Sequence, residues 1–490
     1  SDRDNDGDGL QYDVAGVTGL GGTTLEFDAW VRFAPGTDPG EATLSARTVT
    51  GDAQAFSNLA SLTGLRNDAW TRVGGQFTMP GFDSAAELYF ETRYQSGNTS
   101  TFLVDEIRVW VPEPPVVQTD LEPLKNTVDF PVGVAIDSRE TTGNPAILLN
   151  HHFNQITAEN HMKVEAWYDA EQNFRPHPEA LTLLDYAQAN DLRLYGHVLL
   201  WHSQTPAWFF TDDTGRQLGN NDADRAFLRD RLATHIDNIA RAISDRYGLF
   251  GSATNPLVAW DVVNEVVSDA AEPDGLRRSE WYAVFGEDYI PLAFQLAEAA
   301  FNDTYAVPDS EVARPVKLFI NDYNTEQGLK QDQYFALVQR LLAAGVPVDG
   351  VGHQFHVSLN TPISSLEAAL TRFAPLGLEQ AVTELDVTVG TPVTAANLVR
   401  QGHYYRDAFR LFRQHDVAHD DLFSVTVWGL TDNRSWRSTQ APLLFDAGLQ
   451  AKPAYYGAVD SDELPPLLAA ANVFGGDVPL ASAGYSVAWR

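Results

Sequence analysis

The first 112 residues alternate apolar and polar positions in short runs, and turn-forming residues separate one run from the next. The runs are LEFDAWVRFA, EATLSARTVT, WTRVGGQFTM, AELYFETRYQ and STFLVDEIRVWV. A two-residue period rich in Val, Thr and aromatic residues is typical of half-buried strands, and no helical period of any length occurs here. The pattern predicts an all-β sandwich over 1–112.

From about Leu121 the chain alternates short apolar runs with segments of helical period. The longest helical segment, 222–247, repeats apolar residues at three- and four-residue steps and is followed by Gly248. Eight runs are strand-like: PVGVAI, HHFNQITA, LRLYGHVLLW, LVAWDVVNE, VKLFINDY, GVGHQFHV, QAVTELDV and LFSVTVWGL. Eight βα units predict an α/β fold, a (β/α)8 barrel, over 121–460. A doubly wound open sheet is the alternative, disfavoured because no Gly-rich phosphate loop follows any strand.

Two further segments complete the predicted organisation. Residues 113–120, within PEPPVVQTD, are predicted to form a Pro-rich, semi-rigid linker. Residues 461–490 are too few for a domain core, so we interpret them as a C-terminal tail or as the start of a further module.

Charge and composition narrow the range of partners. The chain carries 66 acidic and 33 basic residues, a net charge of −33, which disfavours nucleic acid because phosphate binding needs clustered Lys and Arg. Only 5 of the basic residues are lysines, and such an acidic surface suits a saline medium that screens self-repulsion. The absence of cysteine excludes disulfides, thiol catalysis and zinc–thiolate sites.

The hydrophobic runs are too short for a membrane span, which needs roughly 20 apolar residues. The start of the chain, SDRDNDGDGL, lacks a basic region followed by an apolar stretch, so we infer that any signal peptide has been removed or was not included. We expect a secreted, extracellular monomer with no membrane span.

Polar and aromatic side chains gather at the carboxyl ends of seven of the eight predicted strands. In a parallel barrel these ends form the catalytic face. A single Glu, Trp or His there is more often structural, but convergence of seven strand ends on one face predicts an active site. The strand-end residues are Glu159, Asn160, Lys163, His197, Trp201, His202, Gln204, Asn264, Glu265, Asn321–Asn324, Gln354, His356, Glu384, Asp386 and Trp428.

Glu265 and Glu384 fit the two carboxyl groups that glycoside hydrolysis requires, one protonated and one ionised. Glu265 has a neutral amide and two valines as neighbours, which suits the protonated group. Glu384 would lie near His356 if strands six and seven are neighbours, and a hydrogen bond from the imidazole would favour the ionised form. Indole rings stack on the apolar faces of sugars, and the candidates are Trp201, Trp428 and Trp436. Together these residues predict a sugar site.

A metal-dependent barrel hydrolase is the main competing enzyme class. Six histidines lie near strand ends: His151, His152, His197, His202, His353 and His356. A catalytic metal needs several ligands converging on one centre, often with a His-x-His pair, and no such pair occurs. On strands, the adjacent His151 and His152 would point to opposite faces. We therefore expect no catalytic metal and no cofactor.

Seven motifs occur in a specific order and spacing: ITAENHMKVEAW, GHVLLWHSQTPAW, WDVVNE, INDYNTE, GVGHQFH, VTELDV and VTVWGLTDNRSWR. From about Leu121 to Asp460 the chain therefore resembles glycoside hydrolase family 10, whose best-known members are retaining endo-1,4-β-xylanases. The resemblance implies a (β/α)8 barrel with the acid/base at Glu265 on the fourth strand and the nucleophile at Glu384 on the seventh.

The resemblance also implies roles around these two carboxyl groups. Asn264 would hold the 2-hydroxyl of the reacting sugar, His356 would support the nucleophile, and Gln354 would lie in the same subsite. Tyr323 would be an aglycone platform. We also expect Gln204 to contact substrate. The implied glycone-side residues are Glu159, Asn160, Lys163, His197, Trp201, Trp428 and Trp436.

The N-terminal sandwich resembles the xylan-binding jelly rolls of carbohydrate-binding family 22, through FDAWVRF, WTRVGGQFTM and STFLVDEIRV. We predict about six strands where that fold usually has more, so we expect its first strands to be absent. DNDGDG begins like a calcium loop with Asp4, Asp6 and Asp8, but the EF-hand position that needs Glu holds Ala15. We therefore favour a solvated acidic terminus over a structural calcium site.

These observations lead to the hypothesis of a retaining endo-1,4-β-xylanase acting on xylan and xylo-oligosaccharides through a covalent glycosyl-enzyme. A polysaccharide-binding protein built on an inactive barrel is a second hypothesis, disfavoured by the presence of both Glu265 and Glu384. Cellulose or mixed-linkage glucan is a narrower alternative, which depends on the clearance near Trp436 for the hydroxymethyl group that xylose lacks.

Overall fold

The computed structural model divides the chain into two compact units, with the boundary between residues 114 and 115. The structure describes residues 4–5, 8–14, 22–37, 40–51, 53–82, 84–93, 96–112, 116–308 and 314–467. The predicted tail beyond residue 467 and residues 113–115 of the predicted linker lie outside the described residues.

The N-terminal unit consists of two antiparallel sheets that share one core. Its strands are β1 (Leu10–Asp13), β2 (Thr24–Phe33), β3 (Ala42–Thr50), β4 (Ala53–Leu62), β5 (Thr71–Thr78), β6 (Ala85–Thr92) and β7 (Phe102–Trp110). One sheet has the order β1-β6-β3-β4 and the other β5-β2-β7. Phe27 on β2, Leu44 on β3 and Phe90 on β6 belong to the same buried cluster, as expected of a β-sandwich. The all-β prediction is confirmed.

Strands β1 and β4 were not predicted from the alternation of apolar and polar residues. All four residues of β1 are exposed, and most of β4, AQAFSNLASL, is exposed or half-buried. A strand that is solvated on both faces does not need the apolar–polar alternation by which strands are recognised.

The C-terminal unit is a closed barrel of parallel strands. The strands are β8 (Val132–Ile136), β9 (Gln155–Ala158), β10 (Arg193–Leu200), β11 (Leu257–Asn264), β12 (Lys317–Asp322), β13 (Gly350–His353), β14 (His356–Ser358), β15 (Glu379–Thr388) and β16 (Leu422–Val427). Strands β13 and β14 together occupy the sixth of eight positions, and the pairing of β13 with β15 closes the ring. The prediction of a (β/α)8 barrel is confirmed, and closure excludes the doubly wound alternative.

Helices alternate with the barrel strands. They are α1 (Gly143–His152), α2 (Pro178–Ala189), α3 (Asp222–Tyr247), α4 (Glu280–Phe285), α5 (Tyr289–Ala297), α6 (Gly328–Ala343), α7 (Ile363–Phe373), α8 (Ala395–His419) and α9 (Pro453–Ala458), with a π-helical turn at Glu298–Thr304. The predicted helix α3 ends where Gly248 adopts a φ of 91°. Among the described residues, no helix is both long and apolar enough to cross a membrane.

Two predicted strand runs differ from the structure. In HHFNQITA, His151 and His152 form the end of α1, and the strand begins only at Gln155. This prediction was wrong because the helix passes into the strand with only two residues between them. In GVGHQFHV, Phe355 has a left-handed φ of 52° that separates β13 from β14.

Inside the barrel, an apolar layer supports a polar one. The rings of Tyr195 and Phe319 lie 5.4 Å apart, and those of Phe319 and Phe423 lie 5.1 Å apart, across strands that are not neighbours. Two residues further along their strands, the period of two brings His197 and Asn321 to the same inner face. The alternation therefore places polar groups above the apolar floor, toward the carboxyl ends of the strands.

Candidate active site

A cavity of about 530 Å³ opens at the carboxyl ends of the barrel strands. Its lining residues are Glu159, Asn160, Lys163, His197, Trp201, Asn264, Glu265, Tyr323, Asn324, Gln354, His356, Glu384, Trp428, Trp436 and Arg437. Every residue given a catalytic or substrate-binding role from the sequence is among them except Gln204, whereas the strand-end residues His202, Asn321, Asp322 and Asp386 do not line the cavity. The Gln204 side chain instead donates a hydrogen bond to Glu165 Oε1 at 3.1 Å, so the structure does not bring Gln204 into this cavity.

Glu384 is buried in the middle of β15, and two donors hold it. The Asn321 side-chain amide donates to Oε1 at 3.0 Å, and His356 Nε2 donates to Oε2 at 3.1 Å. Burial opposes ionisation of Glu384, but the hydrogen bond from His356 and nearby positive charge outweigh burial and lower its pKa. The structure thus shows the predicted contact between Glu384 and His356, and the lowered pKa favours the ionised form of the Glu384 carboxyl group.

His356 carries a positive charge between two carboxylates. Its Nδ1 lies 2.8 Å from Asp386 Oδ2. Burial works against the charged imidazole, but Asp386 and Glu384 outweigh this effect and raise the pKa of His356 to about 9. Both ring nitrogens are therefore donors at neutral pH.

Replacing His356 with alanine should change the pH dependence of stability in a defined direction. Because the pKa of His356 is about 9 in the folded protein and about 6.5 in an unfolded chain, its contribution is complete below about pH 6.5 and is lost as the pH rises through about 9. The difference in free energy of unfolding between the native protein and His356→Ala should shrink by about 3 kcal/mol between about pH 6 and about pH 10. Urea denaturation measures it, and a pH-independent difference would contradict the assigned charge.

The sequence places Asn321 and Asp386 at strand ends but gives no indication of a role for either residue. Asp386 also accepts hydrogen bonds from Trp436 Nε1 at 3.0 Å and from Arg437 Nη1 at 2.9 Å. The position of Asp386 beside the site could have been predicted from the two-residue period of a strand, because Asp386 lies two residues after Glu384 and therefore points to the same face.

Glu265 follows β11 in a left-handed conformation, with a φ of 56°. This conformation is unfavourable for residues other than glycine, and two hydrogen bonds hold it. The Glu265 N–H donates to the Asn321 carbonyl at 2.8 Å, and Arg277 Nε donates to the Glu265 carbonyl at 2.7 Å. The carboxyl group accepts from Trp201 Nε1 at 3.0 Å and from Gln354 Nε2 at 3.2 Å.

Asn264 links the surroundings of the two glutamates. Its Oδ1 accepts from Asn321 Nδ2 at 3.0 Å and from Gln354 Nε2 at 3.2 Å. These two donors belong to the residues that also hold Glu384 and Glu265. With Oδ1 engaged, the Asn264 Nδ2 group is oriented as a donor for a ligand hydroxyl.

One part of the cavity wall combines charged and aromatic side chains. Lys163 Nζ donates to Asn160 Oδ1 at 3.0 Å and lies 4.9 Å from the centre of the Trp201 ring. Burial lowers the pKa of Lys163 and raises the pKa of Glu159. Such groups can bind hydroxyls, and the ring can pack against a sugar face.

His197 is fixed from below by Asp261, the carboxylate that precedes Asn264 on β11. Asp261 is buried and accepts from Tyr195 OH and from His197 Nδ1, each at 2.8 Å. The Trp428 ring stands edge-on to His197, with 5.5 Å between ring centres. Asp261 thus has a structural contact with a cavity residue and does not itself line the cavity.

The described residues include no group of three or more His, Cys, Asp or Glu side chains placed to share a metal ion. His353, for example, contacts Thr325 and Gln380, whereas His356 contacts the two carboxylates. At the N-terminus, Asp8 accepts from the backbone of Asp4. Asp6 and Ala15 lie outside the described residues, so the preference for a solvated acidic terminus over a calcium site stays a prediction.

Residues 123–461 match the family model of glycosyl hydrolase family 10. Endo-1,4-beta-xylanase A of Thermoanaerobacterium saccharolyticum is 34% identical over 493 residues, which cover 98% of this chain and 40% of that protein. The thermostable celloxylanase of Thermoclostridium stercorarium is 35% identical over 354 residues, which cover 68% of this chain and 86% of that protein. The chain spans about 40% of the length of the first relatives it matches.

Solved structures agree with this match. The intracellular xylanase of Thermoanaerobacterium saccharolyticum, as a mutant in complex with xylotetraose, is 38% identical with a TM-score of 0.62, covering 70% of this chain and 100% of that chain. The CBM22-1 and GH10 modules of a Clostridium thermocellum endo-1,4-beta-D-xylanase, complexed with xylohexaose, are 28% identical with a TM-score of 0.60, covering 94% of this chain and 89% of that chain.

Proposed function

The chain belongs to glycosyl hydrolase family 10, and we propose that it hydrolyses internal β-1,4 bonds of xylan with retention of anomeric configuration. The observation that carries this proposal is the unequal environment of two carboxyl groups in one cavity. Glu384 is buried and held by cationic His356. The Glu265 carboxyl group instead accepts hydrogen bonds from the neutral Trp201 and Gln354 side chains, and His202 Nε2 lies further away, at 3.8 Å. Retaining hydrolysis requires one ionised nucleophile and one group that exchanges a proton.

The proposed reaction proceeds in two displacements. The Glu384 carboxylate attacks the anomeric carbon while Glu265 donates its proton to the glycosidic oxygen, so the leaving xylan chain departs and a xylosyl ester forms on Glu384. Glu265, now ionised, takes a proton from water as the water oxygen attacks the anomeric carbon and releases Glu384. Both steps use only the two carboxyl groups and water, so this scheme needs no cofactor.

The other cavity residues support binding of the sugar chain. We assign Asn264 and Gln354 to the reacting xylose, because their side chains, together with that of Asn321, connect the two glutamates. Tyr323 is assigned to the leaving side. The residues assigned to the glycone side are Glu159, Asn160, Lys163, His197, Trp201, Trp428 and Trp436.

Product analysis tests the function directly. Incubation with xylan should release reducing ends on xylo-oligosaccharides of mixed length, and proton NMR should show each new reducing end first as the β-anomer. A first-formed α-anomer would exclude retention. Binding of xylan without any release of reducing ends would instead favour the polysaccharide-binding protein.

Activity on β-1,4-glucan is a second candidate, supported by two similar proteins that are named an exoglucanase and a celloxylanase. Trp436 is 59% exposed at the cavity wall and is anchored through Nε1 to Asp386. Trp436→Ala should raise the ratio of activity on carboxymethyl cellulose to activity on xylan by roughly tenfold, because it makes room for the hydroxymethyl group of glucose. The exposed Trp70 of the N-terminal unit offers a control, Trp70→Ala, and an equal ratio in both variants would contradict this role.

We also propose that the N-terminal unit binds xylan. A groove of about 570 Å³ on the β1-β6-β3-β4 sheet contains aromatic, charged and amide side chains, as sugar recognition requires. Its lining residues are Gly9, Gln11, Arg47, Phe56, Asn58, Glu87, Tyr89 and Glu91. The similarity to a structure that contains a CBM22-1 module supports this assignment.

Phe56→Ala combined with Tyr89→Ala should reduce retention of the full chain on insoluble xylan by about 30-fold, since each ring contributes roughly 1 kcal/mol of stacking. Tyr12→Ala is the matched control, because Tyr12 is 68% exposed on the same unit and does not line the groove. Retention should be measured in the Glu384→Gln background so that xylan remains intact. Equal retention of all three proteins would contradict the assignment.

The proposal extends to where the protein works. Xylan is a polymer too large to enter a cell intact, which supports an extracellular site of action. A net charge of −33 is best tolerated where salt screens self-repulsion, which supports a saline medium.

A further inference from the structure

The Lys330 ammonium is buried next to the active-site cavity. Its side chain is only 4% exposed. It donates to the Val267 carbonyl at 2.9 Å and pairs with Asp269 Oδ1 and Asp322 Oδ1, each at 3.0 Å. An ammonium group has three donors, so this geometry engages every one of them.

Two of these partners belong to a hairpin, residues 266–277, that directly follows Glu265. Val267 pairs with Leu276 in an antiparallel bridge that closes the hairpin. The Val267 N–H donates to Asp322 Oδ2 at 2.9 Å, and the Val267 carbonyl accepts from Lys330. The buried Lys330–Asp322 pair thus holds both backbone polar groups of Val267, two residues after Glu265.

The same ammonium lies beneath the Tyr323 ring of the cavity wall, 4.0 Å from the ring centre. The Tyr323 hydroxyl donates to Asp269 and accepts from Arg277 Nη2 at 2.8 Å. Arg277 in turn donates through Nε to the Glu265 carbonyl at 2.7 Å. Lys330 therefore contacts a ring that lines the cavity, while its hydrogen bonds reach the hairpin of Glu265.

Removal of this charge has a specific electrostatic consequence. Burial raises the pKa of Asp322 to about 6, although Lys330 acts in the opposite direction. Without Lys330, the buried Asp322 carboxyl would lose its cationic partner, which is unfavourable for a buried ion. The hairpin would lose one of its contacts with α6 at the same time.

We propose that Lys330 is a positioning residue that fixes the Tyr323 ring and the carboxyl group of Glu265 together, and thereby controls use of the sugar units on the leaving side of the scissile bond. This proposal rests on the proposed function and deepens it. Lys330 acts through Tyr323 and Glu265 and does not line the cavity itself. Loss of Lys330 should therefore slow the cleavage of a substrate that depends on both Tyr323 and Glu265 more than the cleavage of a substrate that depends on neither.

Two substrates separate these cases. Xylohexaose places sugar units on the leaving side and needs a proton from Glu265. In 2,4-dinitrophenyl β-xylobioside, the leaving group is not a sugar and departs without a proton. In Lys330→Met, the ratio of kcat/KM for xylohexaose to kcat/KM for the dinitrophenyl substrate should fall about 10- to 100-fold, the order of loss expected of misplaced catalytic groups.

Lys317→Met is the control, because Lys317 begins β12, the strand that ends at Asp322, and so lies at the opposite end of the barrel, where it pairs loosely with Glu379 at 3.9 Å. It should leave the ratio unchanged. An unchanged ratio in Lys330→Met, or equal losses on both substrates, would overturn the proposal and leave Lys330 a purely structural residue. Failure of the native protein to cleave either substrate would instead overturn the proposed function.

Two further variants keep the test decisive if Lys330→Met does not fold. Lys330→Arg keeps the charge but has a planar head group, so it should restore part of the ratio. Asp269→Asn, at a half-exposed position, removes one carboxylate from Lys330 and Tyr323. Asp269→Asn should lower the kcat/KM ratio by a smaller factor than Lys330→Met does. A ratio equal to that of the native protein would count against the proposal.

Discussion

Glu384→Ala is expected to lower kcat on xylan by roughly 10⁵-fold, the order of loss seen when a catalytic nucleophile is removed. No covalent intermediate can form without the carboxylate. Asn321 Nδ2 and His356 Nε2, which donate to Glu384 in the native protein, would then point into the vacated space. A small anion such as azide should bind there, since His356 is positively charged.

The product of azide rescue identifies the role of the residue. With 2,4-dinitrophenyl β-xylobioside, azide in the Glu384→Ala cavity should attack the anomeric carbon once and give the α-xylobiosyl azide. Proton NMR distinguishes this product from the β-azide. Glu384→Gln serves as the control, because it keeps the shape of the side chain and should be inactive without rescue. A β-azide from Glu384→Ala, or near-native hydrolysis of xylan, would show that Glu384 is not the nucleophile.

The two glutamates, Glu265 and Glu384, could be located from the sequence because a parallel barrel brings the carboxyl ends of all its strands close together. Alternating runs and helical segments identify all eight strand positions, and parallel strands bring their carboxyl ends to one face. Glu265 and Glu384 are 119 positions apart by their numbers, yet both line one cavity. The contact between His356 and Glu384 could be predicted because β14 and β15 are neighbours in that order.

What escaped prediction depends on local backbone conformation or on partners remote in sequence. The side chain of Gln204 hydrogen-bonds Glu165 and does not enter the cavity. The orientation of a single side chain cannot be predicted from the periodicity of apolar residues. Asn321 gains its importance only because it touches both Asn264 and Glu384, on two other strands. Lys330 lies on α6, where a lysine is ordinarily interpreted as a solvated residue.

Glu265→Ala is expected to affect the two steps of the reaction differently. On xylan, kcat/KM should fall by roughly 10³-fold, because the leaving sugar no longer receives a proton. On 2,4-dinitrophenyl β-xylobioside the first step needs no acid, so the xylobiosyl ester on Glu384 should form and then persist, since no base activates water. Stopped-flow absorbance should show a burst of dinitrophenolate close to one equivalent, and intact-protein mass spectrometry should detect the added xylobiosyl group.

Azide should rescue Glu265→Ala with the opposite stereochemistry to that of Glu384→Ala. Trp201 Nε1 and Gln354 Nε2, which donate to the native Glu265 carboxyl group, are oriented to hold an anion in the vacated space. Azide needs no base, so its attack on the xylobiosyl ester is a second inversion and should give the β-azide with an increased kcat. An α-azide from this variant, or the absence of a burst, would contradict the acid/base role. Because one variant gives the α-azide and the other the β-azide, a general loss of folding cannot imitate the pair of results.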